Sequence, residues 1–334
     1  MVSQKALRSD STGRAVFQLI ESLIKETIAN TTYGKQLKQI FAASLGKGGG
    51  LTVIDRLPSI CCEASGGNAS QALPTTAAWQ LLRLAAKLFD DIEDGEVERD
   101  RAEATNLATG ILFVAQSALQ RLPQKPSQVA LESQYRIVNE FNRACLFACA
   151  GQHEDLASQV NFSLLDPDLW IKATRAKSGE LLGWAAWAGA MVGGAQESVA
   201  STFREFGVHL GILLQISDDF CDFWSRDNPK DLRSGRITLP TNYMLVMSAG
   251  AERAQIIDLV QRSGLGDRDA QERLLRSSIE LGAQKYALAL AWIERQNAYN
   301  ALKRACLNGN RALGLTALLN EVFPALPEIE KNDR

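Results

Sequence analysis

The chain has 334 residues, of which 46% are hydrophobic and 22% are charged, and its formal net charge is -2. This composition is ordinary for a globular protein, and it argues against a disordered chain and against a strongly basic nucleic-acid binder. No run approaches the roughly 18 apolar residues of a membrane span, and the N-terminal residues lack the apolar stretch of a signal peptide. We therefore expect a cytoplasmic protein whose six cysteines are small buried thiols, because none of them completes a zinc-ligand pattern.

Apolar residues recur every three or four positions through most of the chain, and this periodicity predicts an all-α protein. After a loose segment at 1–12, helices are predicted from Ala15, over 35–45, from Pro58 to Gly66 and from Pro74 to about residue 94, with a flexible glycine run at 46–50. Later helices are predicted over 101–122, 127–152, 167–193, 198–224, 239–248, 252–262, 267–281 and 285–307, and a short last one ends at 323. No stretch alternates with period two and no linker is long, so we expect one helical domain over 13–330.

The helix that starts at Pro74 ends in an acidic run, Asp90-Asp91-Ile92-Glu93-Asp94. On a helix, positions i, i+1 and i+4 share one face, so Asp90, Asp91 and Asp94 present their carboxylates together. These like charges repel one another, and a hard cation such as Mg2+, which takes carboxylate oxygens as ligands, would remove the repulsion. For a single run of this kind, a solvated helix end is the commoner explanation.

A second run with the same spacing, Asp218, Asp219 and Asp222, ends another apolar helix far along the chain. Antiparallel packing of the two helices would aim both clusters at one cavity mouth. Facing carboxylate clusters can hold several Mg2+ ions that bridge to a diphosphate. Two matched clusters arise by chance much less often than one, so the pair favours a metal site.

These clusters and the segments between them resemble the trans-isoprenyl diphosphate synthase (polyprenyl synthase) family of class I isoprenoid enzymes. Both clusters are similar to the family's DDxxD motifs, and the second follows its GxxxGxxFQ pattern with Leu214 in place of Phe. Three further landmarks occur in the family's order and resemble its GQxxDL, Lys-Thr and DLxxGKxTLP motifs: Gly151 to Leu156, Lys177-Ser178, and Asp231 to Pro240. The resemblance extends from Ile54 to the C-terminus.

The resemblance implies a bundle of about ten or more helices around an apolar cavity, in which allylic diphosphates are ionised with the help of about three Mg2+ ions. It also implies a homodimer. The residues that it assigns to catalysis and metal binding are Asp90, Asp91, Asp94, Asp218, Asp219, Asp222 and, for the departing diphosphate, Lys177. The residues that it assigns to substrate binding are Arg83, Ala85, Ala86, Phe89, Arg99, Gln152, Asp155, Ser178, Gln215, Asp222, Lys230 and Arg236. Because Ala85 and Ala86 are small, the resemblance implies room for a C15–C25 chain, with C20 favoured.

Several other side chains on these helices have two interpretations. Phe89, Phe220, Phe223, Trp184 and Trp187 could wall an apolar cavity that shields a carbocation, although simple core packing is the commoner role for each. The only two histidines, His153 and His209, match no motif of the family, and we expect both to be structural. Lys87 could point to solvent or pair with Asp91 one turn later.

The sequence departs from the family where chain-elongating members bind isopentenyl diphosphate. In place of their GKxxRP motif stands Ile54-Asp55-Arg56-Leu57-Pro58, which lacks the Lys and the Arg of the motif. Arg83 replaces a common His, and Asp100 follows Arg99 where an Arg-Arg pair is usual, so a carboxylate would repel a second diphosphate.

These departures favour ionisation followed by terpene cyclisation. The alternative is prenyl transfer, either chain elongation or prenylation of a non-isoprenoid acceptor. A non-catalytic subunit of a heteromeric synthase is a weaker third interpretation, because such subunits can dispense with the clusters that this chain retains.

Overall fold

The structure is a computed structural model, which describes residues 11–28, 30–44, 52–97, 99–160, 166–225, 229–305, 309–324 and 326. Within these ranges all the regular elements are helical, so the all-α prediction is confirmed. The α-helices are α1 (Ser11–Ile28), α2 (Thr32–Ser44), α3 (Leu57–Ala64), α4 (Leu73–Glu93), α5 (Arg101–Leu119), α6 (Leu131–Val160), α7 (Pro167–Thr174), α8 (Glu180–Val192), α9 (Glu197–Trp224), α10 (Lys230–Ser234), α11 (Leu239–Met247), α12 (Gly250–Gly264), α13 (Arg268–Glu280), α14 (Ala283–Arg304) and α15 (Gly309–Val322).

Shorter elements join some of these helices. Two 3-10 turns, Ile54–Arg56 and Ala69–Ala72, precede α3 and α4, and a π turn at Arg175–Gly179 connects α7 to α8. The predicted loose segment 1–12 lies outside the described residues except for its last two residues, which begin α1. The predicted glycine-rich connection at 46–50 lies outside them entirely.

The main differences from the predicted helix boundaries involve α6, the helix predicted over 167–193, and α10. α6 continues through Gly151 to Val160, although the sequence predicts that it ends at 152. The predicted helix over 167–193 is interrupted by the π turn at Arg175–Gly179, and α10 was not predicted. A wide turn inside a continuous helix leaves the periodicity of the apolar residues almost unchanged, so the sequence does not predict it. α10 is too short to show a period.

The structure divides into two compact units, each built from separate stretches of chain. The first unit contains Met1–Phe141, Ala185–Phe203 and Leu307–Leu315, and the second contains Asn142–Trp184, Arg204–Cys306 and Thr316–Arg334. Consequently α6, α8, α9 and α15 each contribute residues to both units. The proposed domain limits of 13–330 stay a prediction.

The N-terminal half of α4 supplies much of the core of the first unit. Its Ala77, Ala78, Trp79 and Leu81 side chains are almost inaccessible to solvent. Pro74 lies in the first turn of α4, where its fixed φ suits a helix and its missing N–H needs no partner. This buried anchor sets the direction of α4 and therefore the position of the acidic run at its other end.

The core of the second unit is built by the end of α9 and by the helices that follow it. Its buried members include Phe223, Ile237, Leu239, Met244, Leu245, Ile256, Leu259, Val260 and Leu274. Half-buried Phe220 packs against Trp224 and Phe323, with ring centroids 4.8 Å and 5.1 Å away. Across the described ranges, no helix combines the length and the apolar character that crossing a membrane requires.

Candidate active site

The first carboxylate cluster lies in the first unit, at the C-terminal end of α4. Asp90 and Asp91 are half-buried, and Asp94, which follows the last helical residue, is exposed. Of the predicted pocket residues on the preceding turn, Ala85 is buried, and Ala86 and Phe89 are half-buried. The helical spacing that the sequence predicts for the cluster is therefore confirmed.

The two basic residues that precede the cluster on α4 are both paired with carboxylates of the chain. Lys87 Nζ donates to Asp91 Oδ1 at 3.0 Å, so the pairing prediction for Lys87 is confirmed. Arg83 forms an ion pair with Asp55, and its guanidinium lies 5.8 Å from the centroid of the Trp79 ring. Arg83, which the sequence predicts to contact an anion, thus lies beside an acidic partner.

Asp55 is held in place to receive Arg83. Its Oδ2 accepts hydrogen bonds from the Thr52 backbone N–H at 2.8 Å and from Thr52 Oγ1 at 2.7 Å. The neighbouring carbonyl of Ile54 accepts from Trp79 Nε1 at 2.7 Å. The segment that replaces the GKxxRP motif is therefore tied to α4 by both an ion pair and a backbone contact, and sequence reasoning did not identify Asp55 as a partner of Arg83.

Asp100 has a structural reason for standing where the family usually has an Arg. Its Oδ1 accepts from the backbone N–H groups of Ala102 at 2.9 Å and Glu103 at 3.1 Å, which caps the N-terminus of α5. Arg99, the predicted anion ligand beside it, is exposed and lies 4.0 Å from the Glu103 carboxylate. Arg101 donates to the Ile92 carbonyl at 2.8 Å and so stabilises the end of α4.

The second carboxylate cluster lies in the second unit, within the last two turns of α9. Asp218 is exposed and Asp222 is half-buried, whereas Asp219 is only 3% exposed. Asp219 Oδ1 accepts from Gln215 Nε2 and its Oδ2 accepts from the Leu239 backbone N–H, both at 2.8 Å. All three residues stay predicted metal ligands, and at Asp219 protein donors engage both carboxylate oxygens.

The surroundings of Asp219 also disfavour its charge. Burial raises the pKa of this carboxyl to about 7, and nearby Asp231 adds to the increase, while the Leu239 N–H and Gln215 oppose it. Asp155 contributes a smaller increase. The acidic residues of three separate sequence motifs therefore lie close enough to interact, and Asp231 is a neighbour that sequence reasoning did not assign to the site.

The π turn directs two consecutive residues to two different helices. Lys177 Nζ donates to Asp155 Oδ2 on α6 at 3.3 Å, and Ser178 Oγ donates to Gln215 Oε1 on α9 at 3.3 Å. A regular helix would separate these side chains by about 100°, whereas the wider turn changes their directions locally, as π turns at functional sites often do. Both predicted residues thus join the network of Asp219.

Two glycines permit the close backbone approach that this network requires. A Cβ on Gly151 would lie 2.5 Å from the Lys177 backbone nitrogen and 2.6 Å from the Ala173 carbonyl oxygen. A Cβ on Gly211 would lie 2.7 Å from the Ser178 carbonyl oxygen. Larger residues at either position would push α6 or α9 away from the π turn.

The remaining predicted residues of the second unit lie on neighbouring elements. Gln152 is half-buried on α6, one residue after Gly151. Lys230 is exposed at the start of α10, and Arg236 is half-buried in the segment that joins α10 to α11. In the same segment, the backbone of Ile237 is hydrogen-bonded to Gln159, another residue that the sequence analysis did not identify.

Comparison with known proteins identifies the family of this chain. The sequence model described as Polyprenyl synthetase matches residues 30–277. This chain belongs to the polyprenyl synthetase family. The predicted resemblance is therefore confirmed, as is the prediction of an enzyme of the isoprenyl diphosphate synthase type.

Curated relatives in this family cover most of the chain. A "Short chain isoprenyl diphosphate synthase" of Methanothermobacter thermautotrophicus is 24% identical over 296 residues, which are 83% of this chain and 87% of the relative. A "(2E,6E)-farnesyl diphosphate synthase" of Mycobacterium bovis is 26% identical over 264 residues, which are 72% of this chain and 70% of the relative.

Solved structures of polyprenyl synthetase relatives show the same fold. A decaprenyl diphosphate synthase from Rhodobacter capsulatus superimposes with a TM-score of 0.81 at 19% identity, covering 97% of this chain and 98% of that one. A geranylgeranyl pyrophosphate synthetase from Pyrococcus horikoshii gives a TM-score of 0.77 at 20% identity, covering 94% and 98%. At these identities the likeness establishes the fold alone.

The family is associated with Mg2+, and the two clusters differ in how well they fit this ion. In the part of the chain that the structure describes, no three His, Cys, Asp or Glu side chains converge to hold a metal. Mg2+ at phosphate sites usually takes one or two carboxylates together with phosphate oxygens and water. The carboxylates of Asp90, Asp94, Asp218 and Asp222 have the chemistry that this requirement calls for. Asp219 accepts hydrogen bonds from Gln215 and from the Leu239 backbone N–H.

The aromatic and histidine predictions have mixed outcomes. Trp184, Trp187 and Phe223 are fully buried, as expected for core packing. His209 Nδ1 lies 2.6 Å from Glu294 Oε2, which agrees with a structural role, and His153 is exposed.

The cysteine prediction is only partly correct. Cys61 and Cys62 are buried, but Cys149 and Cys221 are exposed. Cys145 is half-buried. Cys306 lies outside the described residues.

Proposed function

We propose that this protein transfers the prenyl group of an allylic isoprenyl diphosphate, with Mg2+, and that the acceptor is isopentenyl diphosphate, so that the product is a longer diphosphate. The observation that carries the proposal is the hydrogen-bonded network of the second unit. It runs from Ser178 to Gln215, on to Asp219 and then to the Leu239 backbone N–H. Three motifs far apart in sequence are thereby held together around Asp218 and Asp222.

In the proposed reaction the allylic C–O bond breaks, and the diphosphate leaves with the bonding electrons. Mg2+ would be held by Asp218 and Asp222 in the second unit, and Asp90 and Asp94 are the proposed ligands in the first. The ion would neutralise the charge that develops on the departing diphosphate. The double bond of the acceptor then attacks the allylic cation, and loss of a proton from the adduct completes the transfer. Apolar surroundings keep water from the cation.

Lys177 and Arg236 are the side chains that we assign to the oxygens of the diphosphate. Lys177 is about three-quarters buried and is oriented by Asp155. Its charge acts more strongly on a phosphate there than it would in bulk water. Arg236 can contact two oxygens at once through its planar guanidinium. Both residues bind and orient the leaving group before the C–O bond breaks.

Terpene cyclisation, which the sequence analysis favoured, receives no support from the relatives, whose names describe diphosphate synthases. The departures at the isopentenyl site led to that expectation. They weaken the binding site for the acceptor, but they do not remove the acceptor from the reaction. Arg56 remains in the segment, and Arg83 on α4 pairs with Asp55 of the segment. Basic residues are thus still present there, and the names of the relatives make chain elongation the better-supported function. We propose that the site accepts a C15–C25 chain, with C20 favoured, because the family resemblance places the small residues Ala85 and Ala86 where bulky side chains would shorten the pocket.

A second candidate function is prenylation of a non-isoprenoid acceptor. The specific observation in its favour is the Arg83–Asp55 ion pair, which neutralises a cation that a second diphosphate would otherwise use. Asp100, committed to capping α5, adds a negative charge in the same unit. Neither carboxylate would repel an acceptor that carries no diphosphate.

We also propose that the protein is a homodimer. Large apolar side chains project to solvent from α6, with exposed fractions of 72% for Leu131, 69% for Tyr135, 72% for Leu146 and 44% for Phe147. Apolar side chains repeated along one helix are a common feature of surfaces buried between subunits. Light scattering of the purified protein tests this proposal, and a monomer at micromolar concentration would refute it.

Product analysis of the full-length protein tests the function. The protein and Mg2+ are incubated with C10, C15, C20 and C25 allylic diphosphates, each with and without isopentenyl diphosphate. Chain elongation predicts longer diphosphates only when isopentenyl diphosphate is present. Hydrocarbon or alcohol formed without it would contradict the proposal and restore the cyclase interpretation, while consumption only with an aromatic or other non-isoprenoid acceptor would establish the second candidate.

A further inference from the structure

The segment from α10 to the start of α11, which carries Arg236, is anchored to the rest of the second unit at four points. Near its beginning, Ser263 Oγ on α12 donates to the Leu232 carbonyl. At its end, the Leu239 N–H donates to Asp219. The two anchors between them, at Gly235 and Ile237, lie on either side of Arg236.

Gly235 fixes the backbone on the N-terminal side of Arg236. Its φ of +66° lies in the left-handed region, which favours glycine. A Cβ at this position would lie 2.4 Å from the Val260 carbonyl oxygen, so the segment packs directly against α12.

Gln159 fixes the backbone on the other side. Its Oε1 accepts from the Ile237 N–H at 2.8 Å, and its Nε2 donates to the Ile237 carbonyl at 2.9 Å. One side chain therefore satisfies both backbone polar groups of Ile237, whose side chain is only 3% exposed. Such groups need partners when they are removed from water, and a residue that engages both of them also fixes the orientation of the peptide units on either side.

We propose that Gln159 is a positioning residue for Arg236. Its amide holds the backbone at Ile237, so Arg236 presents its guanidinium to the substrate diphosphate from a fixed backbone and only its side chain has to be ordered on binding. Ordering a binding group in advance raises affinity because less conformational entropy is lost when the ligand arrives. This inference rests on the proposed function, in which Arg236 contacts the diphosphate.

The variants Q159L, R236M and Q159L/R236M test the inference. Q134L is the matched control, because Gln134 also lies on α6 and donates to a backbone carbonyl, that of Leu119 at 3.1 Å. If Q159L fails to fold, Q159E replaces it, since a carboxylate keeps the acceptor for the Ile237 N–H and loses only the donor to the carbonyl.

The first measurement is hydrogen exchange at the Ile237 amide in the free protein. Loss of the Gln159 acceptor is expected to raise its exchange rate in Q159L by about tenfold or more, because the N–H loses its hydrogen bond. Q134L is expected to match the wild type. An unchanged Ile237 exchange rate in Q159L would overturn the claim that Gln159 holds this backbone.

The second measurement is the affinity for inorganic diphosphate with Mg2+, together with KM and kcat for the allylic diphosphate. We expect Q159L to weaken binding and raise KM by about tenfold, while kcat changes by less than about threefold, because the interaction mainly supports binding. The double variant is expected to bind no worse than R236M, since Gln159 acts through Arg236. Independent, additive losses in the double variant, or a Q159L variant with wild-type KM, would overturn the positioning role.

Different results would refute the proposed function and the proposed role of Gln159. A wild-type protein that neither reacts with allylic diphosphates nor binds inorganic diphosphate would refute the proposed function, and the role of Gln159 would fail with it. An active wild type whose Gln159 variants behave like Q134L would refute only the role of Gln159.

Discussion

The two carboxylate clusters have the same spacing but very different surroundings. In the first unit, Asp91 pairs with Lys87, whose side chain is 72% exposed. Two turns earlier on α4, Arg83 pairs with Asp55 and is 40% exposed. In the second unit, Asp219 is buried and hydrogen-bonded at both oxygens. The two clusters share a sequence motif. The ion pairs at the first cluster can rearrange, whereas the hydrogen bonds of Asp219 hold the second cluster in one arrangement.

This difference has an energetic basis. Exposed ion pairs contribute about 0–1 kcal/mol, so the pairs at the first cluster can break when an ion or a substrate arrives. Removing one partner of a buried hydrogen bond costs about 1–3 kcal/mol, because the remaining group has no water to replace it. We infer that the second cluster is prearranged by its hydrogen bonds, whereas the ion pairs at the first cluster can rearrange.

The largest effect is expected from Asp219→Ala. The substitution leaves the Leu239 N–H and the Gln215 amide without their acceptor, which should lower the free energy of unfolding by about 2–4 kcal/mol. Because burial raises the pKa of Asp219 to about 7, removal of this carboxyl returns part of that loss above about pH 4. Turnover should fall by at least about 100-fold, because α11 and Gln215 lose their common anchor. Urea unfolding and steady-state kinetics measure both effects.

Asp91→Ala is the matched control for that variant. Removal of its exposed pair with Lys87 should change the unfolding free energy by less than about 1 kcal/mol. Equal losses of stability in the two variants would remove the contrast between the clusters.

A somewhat smaller effect is expected from Gly151→Ala. The added methyl group would meet the Lys177 backbone nitrogen at 2.5 Å and the Ala173 carbonyl oxygen at 2.6 Å, so α6 must move away from the π turn. We expect a loss of about 1–3 kcal/mol in unfolding free energy, the usual cost of overpacking, together with a lower kcat.

Gly314→Ala controls for the effect of placing alanine in a helix. Its Cβ would meet nothing closer than Ile60 Cγ2 at 3.8 Å, so the variant should be neutral or more stable by up to about 1 kcal/mol. If Gly151→Ala behaved in the same way in thermal unfolding, the close packing of α6 on the π turn would be wrong.

Asp55→Asn should produce a gain of function. The amide can still accept from Thr52, but it no longer neutralises Arg83, whose charge becomes available to a second diphosphate. KM for isopentenyl diphosphate should fall by about three- to tenfold, which corresponds to about 1 kcal/mol. An unchanged KM would mean that the Arg83–Asp55 pair does not control the acceptor.

The smallest effect is expected from Lys87→Met. Loss of an exposed i,i+4 pair should change the unfolding free energy by only about 0.5 kcal/mol. Removal of a cation 3.0 Å from Asp91 should also lower the Mg2+ concentration needed for half-maximal activity, by about twofold. A higher Mg2+ requirement would show that Lys87 assists the ion instead of competing with it.

The sequence predicted the helical class, both clusters and the order of the motifs, because helix periodicity and charge spacing are local properties. It did not predict that Asp219 caps α11 while Asp218, one residue earlier, faces solvent. Adjacent residues on a helix point about 100° apart, and only the packing of α9 decides which of them is buried. Gln159 and Asp55 were missed for a related reason, since each acts on a backbone or side chain that tertiary contacts bring near.

The expectation of cyclisation illustrates another limit of sequence reasoning. Asp100, which looked like a repulsive charge at a second anion site, is the N-cap of α5. A residue that departs from a family pattern can thus serve local helix stability, and its charge alone does not reveal which reaction the site performs.

The most direct test of the central claim follows the fate of labelled isopentenyl diphosphate. Full-length protein, Mg2+, an unlabelled C15 allylic diphosphate and the labelled compound are incubated together, and the products are separated without removing their phosphates. We predict that the label enters a longer diphosphate in the wild type and that Asp218→Asn abolishes the incorporation. Unlabelled hydrocarbon or alcohol from the wild type, with all of the label left in isopentenyl diphosphate, would contradict the account.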